Sequence, residues 1–167
     1  MVHRIVSGGQ TGADRAALDF ALHLGIECGG WVPNGRMAED GIIPTRYPNL
    51  VETESDDPRI RTARNVRDSD ATLLITRGAP TGGSAFTVEA ALRLGKPILH
   101  VDLLREPVEQ SVPRLCRWLR DLHPVILNVA GSRASEDHEI STLTTALLER
   151  AILPGNRKRK GRIDFLL

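Results

Sequence analysis

The segment IVSGGQTGADRAALDFALHLG, Ile5 to Gly25, constrains the fold more than any other part of the chain. A short apolar run ends in Gly8-Gly9, passes through Gln10, Thr11 and Gly12, and gives way to Asp14 and Arg15 at the head of a helical pattern. Ala17, Leu18, Ala21, Leu22 and Gly25 share one face of that pattern, which predicts a helix over 14–24 after a strand over 2–7. Gly25 suits the helix end, where a left-handed residue is needed.

The unit recurs. Ala71–Thr76 reads as a second apolar strand, 77–84 as a glycine-rich turn, and 85–94 as a helix that again closes on Leu-Gly. Further strands are expected over 26–32, 50–53, 97–102 and 125–130. Asp57-Pro58 signals a helix start, because proline at the first helical position gives up an N–H that had no partner anyway. Val112, Leu115, Cys116, Leu119 and Leu122 line one helix, stopped by Pro124; Ile140, Leu143, Leu147 and Ala151 line the last. Residues 33–48 read as a long loop, and such loops in compact domains tend to be functional. Strands alternating with helices predict an α/β fold, a Rossmann-like three-layer sandwich with a mostly parallel sheet and helices on both faces. One ligand-binding domain is expected over 1–153. Residues 154–167 form a basic tail, basic at five of the six positions from Arg157 to Arg162.

Bulk properties narrow the function. A net charge of +1 argues against a nucleic-acid binder, and no apolar run reaches the ~20 residues of a membrane span, so a cytoplasmic protein is expected. The two cysteines, Cys28 and Cys116, have neither metal-ligand nor disulfide spacing. The histidines show no ligand pair, so no metal site is expected.

The glycine loops point to an anion. A strand that turns sharply into a helix leaves main-chain N–H groups without acceptors, and the helix dipole adds partial positive charge there. Together these suit a phosphate or another oxyanion, and glycine permits its close approach. Gly8-Gly9-Gln10-Thr11-Gly12 is neither a P-loop nor a dinucleotide fingerprint. Thr11 offers a hydroxyl and Arg15 a charged fork; Asp14 complements the dipole, as a simple cap or as part of the site. Thr81-Gly82-Gly83-Ser84 repeats the context, and Asn128 to Arg133, with Gly131 between, ends a third strand. Three such loops at the carboxyl ends of parallel strands converge on one crevice. Glu89 is either a solvated helix residue or an acid or base in that crevice. Arg61, Arg64 and Arg67 fall about one turn apart, as an anion-binding or a solvated face, and the Asn34-Gly35-Arg36 turn offers Arg36 as a lid contact.

Five blocks carry a family resemblance: SGGQTGADRAALDFA, GGWVPNGRMAEDGIIPTRYPNLVET, RTARNVRDSDATLLI, TGGSAFTVEAALRLGKPILHVDL and LNVAGSRASE. In order, over roughly Ile5 to Leu148, they resemble the molybdenum-cofactor carrier proteins, the circularly permuted YpsA-type branch of the SLOG superfamily. The resemblance implies a non-catalytic homo-oligomer, dimeric or tetrameric, that binds the pterin–dithiolene molybdenum cofactor (molybdopterin), protects it and delivers it to apoenzymes. Phosphate or molybdate would occupy the same site. It also makes Asn65, Asp68, Asn128 and Arg133 candidates for the pterin ring, and leaves Cys28 as the one thiol able to come near. The full expected ligand set is Gly8, Gly9, Gln10, Thr11, Gly12, Arg15, Asn34, Arg36, Arg64, Asn65, Thr81, Gly82, Gly83, Ser84, Glu89, Asn128, Gly131 and Arg133. The wider superfamily includes nucleotide-binding sensors and nucleoside monophosphate phosphoribohydrolases. The latter read Pro-Gly-Gly-x-Gly-Thr-x-x-Glu; here Gly82, Gly83 and Glu89 keep the spacing, while Ala85 replaces the third glycine and Phe86 the threonine. Their upstream basic motif is absent. If the chain were an enzyme, Glu89 would be its acid or base.

Overall fold

The computed structural model describes residues 2–153; the basic tail lies outside them. Strands β1 (Arg4–Val6), β2 (Glu27–Val32), β3 (Met37–Ala38), β4 (Gly41–Ile42), β5 (Leu50–Glu52), β6 (Ala71–Thr76), β7 (Ile98–Asp102) and β8 (Ile126–Gly131) alternate with helices α1 (Ala13–His23), α2 (Pro58–Arg67), α3 (Gly82–Arg93), α4 (Val108–Leu122) and α5 (Ile140–Ile152). Six strands form one sheet in the order β5-β2-β1-β8-β6-β7, and every pairing within it is parallel. This is the expected Rossmann-like α/β sandwich.

The helices form two layers. α1 packs on α5 and α5 on α4, while α2 packs on α3. The first layer covers the larger core, where Leu18, Leu115, Leu147 and Leu148 meet Ile5, Leu73, Ile75, Leu127 and Val129 of the sheet. The second covers a smaller cluster of Val66, Ala90 and Ala91, with Phe86 and Ile98 against it. β6 is buried at all six positions, as expected of a parallel strand covered on both faces.

Two expectations change in detail. Only the last three residues of the expected glycine-rich turn join α3, which starts at Gly82, not Ala85, because the Thr81 carbonyl already accepts from the N–H groups of Ser84 and Ala85. The loop over 33–48 carries a 3-10 turn at Asn34–Arg36 and a two-residue antiparallel hairpin, β3 with β4. Ile43 and Tyr47 anchor it in the core.

Because the sheet is parallel, the loops after β1, β6 and β8 all leave at the same edge. Their closeness sets the glycines. A Cβ on Gly131 would fall 1.9 Å from the Ile75 carbonyl oxygen and 2.7 Å from the Ala13 Cβ. We predict that Gly131→Ala forces β8 away from β6 and lowers stability by about 3 kcal/mol, near the upper end of overpacking costs, read from denaturant midpoints.

Candidate functional site

The carboxyl edge of the sheet holds a cleft of about 490 Å³, within the range of small-molecule sites. Its floor is the first glycine loop and the head of α1, through Gln10 and Asp14. One wall joins the N-terminal ends of α2 and α3, and the other is the end of β8 with Arg133 and Glu136.

At the floor Asp14 is 3 % exposed. The Gln10 N–H donates to its Oδ2 at 3.3 Å, and so does Arg61 Nη1, also at 3.3 Å. Burial pushes the Asp14 carboxyl above the ordinary carboxylate range, against the pull of Arg61 and of the Gln10 and Gly131 amides. The Arg61 guanidinium lies directly on Gly8, where a Cβ would sit 1.7 Å from Nη1. Gly8 is therefore a glycine to admit an arginine, whereas Gly9 and Gly12 have φ of +72° and +80°.

The first glycine loop is consequently closed by the protein's own groups. The Gln10 side chain accepts from the Thr11 and Glu39 N–H groups, each at 3.0 Å. The Ala13 N–H donates to the Ser132 carbonyl. Thr11 donates its hydroxyl to Glu39, which also accepts from the Ser135 N–H and hydroxyl. Arg15 is forked onto Asp40 and reaches back to the Gly9 carbonyl. The hairpin turn Glu39-Asp40 thus latches the 33–48 loop onto the glycine loop.

The second loop is different. Nothing lies within 4 Å of a Cβ built on Gly82 or Gly83. Both line the cleft at the start of α3, and Gly82 has a φ of +47°. Ser84 is 6 % exposed and lines the same corner, and its hydroxyl has no hydrogen-bond partner among the described residues. Arg59 lies over the Phe86 ring, 4.9 Å from its centroid. Neither Arg59 nor Arg133 makes an ion pair among the described residues. These two arginines line opposite walls of the cleft.

The eighteen residues expected at the site divide accordingly. Gln10, Gly82, Gly83, Ser84, Glu89, Gly131 and Arg133 line the cleft. Gly8 lies beneath Arg61, and Thr81 caps α3 just outside. Gly9 backs onto Ile43, while Thr11, Gly12 and Arg15 open onto a separate groove beside α5. The others are placed elsewhere. Arg36 donates into its own loop, to the Ile43 and Pro44 carbonyls. The Asn34 N–H bonds the Ser55 carbonyl. Arg64 is paired with Glu54 and stacked on Trp31. Asn65 pairs with both backbone groups of Trp31, at 2.8 and 2.9 Å, and Asn128 donates to Thr72 within the sheet. Glu89 is half exposed and bonded to Arg93 one turn on. Cys28 sits in the core, where burial pushes its thiol up. No group of three or more His, Cys, Asp or Glu residues is arranged to hold a metal among the described residues. No helix there is long and apolar enough to cross a membrane.

Sequence reasoning missed Arg59, Thr62, Phe86 and Glu136. Arg59 had a signal: it stands in a first helical turn, after Asp57-Pro58, where an acidic residue is the usual choice.

The family profile described as circularly permutated YpsA SLOG matches residues 5–152. The chain belongs to this family. Among solved structures it is similar to "Putative molybdenum carrier protein" from Syntrophus aciditrophicus SB, with 47 % identity and a TM-score of 0.88, over 91 % of this chain and 96 % of that one. No curated protein matches the chain.

The latch gives a pH prediction. Burial raises the Glu39 carboxyl, but the Ser135 and Thr11 hydrogen bonds outweigh it and hold it below its ordinary value of 4.5. Its stabilising contribution is therefore complete above that value and is lost as pH falls through the lower, folded one. Acidification below about pH 4.5 should raise amide exchange over 37–42 before the sheet opens. Glu39→Ala should raise it at neutral pH, at a cost of about 1 kcal/mol.

Proposed function

We propose that this protein binds molybdenum cofactor in the cleft and carries it, without catalysis, to molybdenum apoenzymes. The observation that carries the reading is the open corner at the head of α3. There two glycines leave space that a Cβ would fill, and the hydroxyl of Ser84 beside them has no hydrogen-bond partner among the described residues. Main-chain N–H groups at a helix start suit the cofactor's phosphate. The volume suits a pterin-sized body, and Arg133 suits an anionic molybdenum–oxo end. When bound, the cofactor supplies redox chemistry for the enzyme that receives it, while this chain's residues hold it and exclude solvent. The Syntrophus structure carries the name of a molybdenum carrier, which supports a cargo that contains molybdenum. The Glu89–Arg93 pair supports carriage over glycosidic hydrolysis, because a carboxylate held by an arginine on its own helix is poorly placed to give or take a proton. Assembly into a dimer or tetramer belongs to the same reading.

The full chain, purified anaerobically from a cofactor-replete host, should contain pterin and molybdenum in equal amounts. Gly83→Leu should lose both while keeping the wild-type thermal midpoint, since its Cβ meets nothing within 4 Å. Gly9 would be a poor control, because its φ of +72° and the Ile43 Cδ1 atom 3.0 Å from a Cβ strain the fold itself. Absence of both pterin and molybdenum from the wild-type protein would overturn the assignment. Tight capture of a nucleotide in their place would mark a sensor.

A further inference from the structure

We propose that Arg59 reads the ligand's phosphate and that Phe86 is the residue that positions it. This deepens the reading given above and rests on it. The argument begins with a local electrostatic conflict. Helix N-termini carry partial positive charge and favour acidic side chains, by about 0.3–1 kcal/mol each. The first turn of α2 holds none, and instead places Arg59 and Arg61 along the cleft. Asp57 caps the helix by accepting from the Arg59 N–H, and Asp14 pairs with Arg61. No carboxylate among the described residues pairs with the Arg59 guanidinium.

What holds it is a ring. The guanidinium carbon lies 4.9 Å from the Phe86 centroid. Phe86 stands in the first turns of α3 and packs on Val66, Ala90 and Ala91 beneath. The stack fixes a long side chain without consuming its hydrogen-bonding edge, since a ring face engages charge but accepts no N–H in the guanidinium plane. A planar fork with no carboxylate partner, beside the open space at Gly82 and Gly83 and the unpartnered Ser84 hydroxyl, matches the three terminal oxygens of a phosphate monoester. Keeping Arg59 ordered before the ligand arrives lowers the entropy lost on binding.

The test titrates the full-length apo protein with inorganic phosphate at low ionic strength, by calorimetry and by the rise in thermal midpoint. Arg59→Gln should weaken phosphate by about tenfold or more, as expected for a charge-assisted bidentate contact. Phe86→Leu should weaken it by about three- to tenfold, the cost of ordering one long side chain at the moment of binding. Because the charge is kept, Phe86→Leu should leave the salt dependence unchanged, and Phe86→Tyr should restore affinity. Should Phe86→Leu lower the ligand-free thermal midpoint, Phe86→Met repeats the measurement with the side-chain volume kept. Wild-type affinity in Arg59→Gln, or in both ring-less variants, overturns the inference, and so does a wild-type protein that binds no phosphate. The two readings fail separately. Cofactor retained in Arg59→Gln at wild-type level refutes the role of Arg59 alone. Phosphate binding that needs Arg59 and Phe86, in a protein that never carries pterin or molybdenum, refutes the carrier alone.

Discussion

The cleft depends on one buried ion pair. Asp14, at the head of α1, holds Arg61 of α2 across the mouth of the first glycine loop, and the missing side chain of Gly8 makes room for it. The pair joins the two helix layers at the edge where the strands end. Each charge is costly to bury alone, by about 3–5 kcal/mol once its partner is gone. Asp14 is therefore surrounded with donors, the Gln10 and Gly131 amides and Arg61. A desolvated carboxylate with that many partners fixes geometry more than it adds stability. It sets where the floor lies and how close α2 approaches.

With the floor fixed, the two glycine loops diverge in role. The first is filled from within: a glutamine side chain, a buried pair and a latched hairpin satisfy donors that a ligand would otherwise meet. The second stays open because nothing packs against Gly82 or Gly83. The same local motif thus yields a structural joint in one place and an open corner in the other. The arginines follow the same division. Arg15, Arg36 and Arg64 are spent on carboxylates or carbonyls, Arg61 is held by Asp14 through Nη1 while its buried Nε has no partner among the described residues, and Arg59 and Arg133 line the cleft without an ion pair there.

Much of the architecture was legible in advance. β6 was read at its true bounds because a six-residue run between Asp70 and Arg77-Gly78, apolar but for two threonines, leaves little choice of period or length. The start of α2 was read from Asp57-Pro58, a cap and a proline that act locally. The start of α3 was read three residues late, since glycines suggest a turn and only the Thr81 carbonyl shows them to be helical. Of the residues that line the cleft, Gly82, Gly83, Ser84 and Arg133 were singled out in advance through the loop chemistry. Asn65 and Asn128 were not, because an amide looks the same in sequence whether it faces a ligand or pairs with a strand.

The sequence by itself determined the alternation of strands and helices, the edge at which the loops gather, and the family. These follow from periodicity, caps and glycines, which act over a few residues. Only the tertiary structure decided which cations remain unpaired and which glycine loop stays open. Those outcomes depend on partners far along the chain, Arg61 with Asp14, Glu39 with Ser135 and Arg59 with Phe86, that no short window contains.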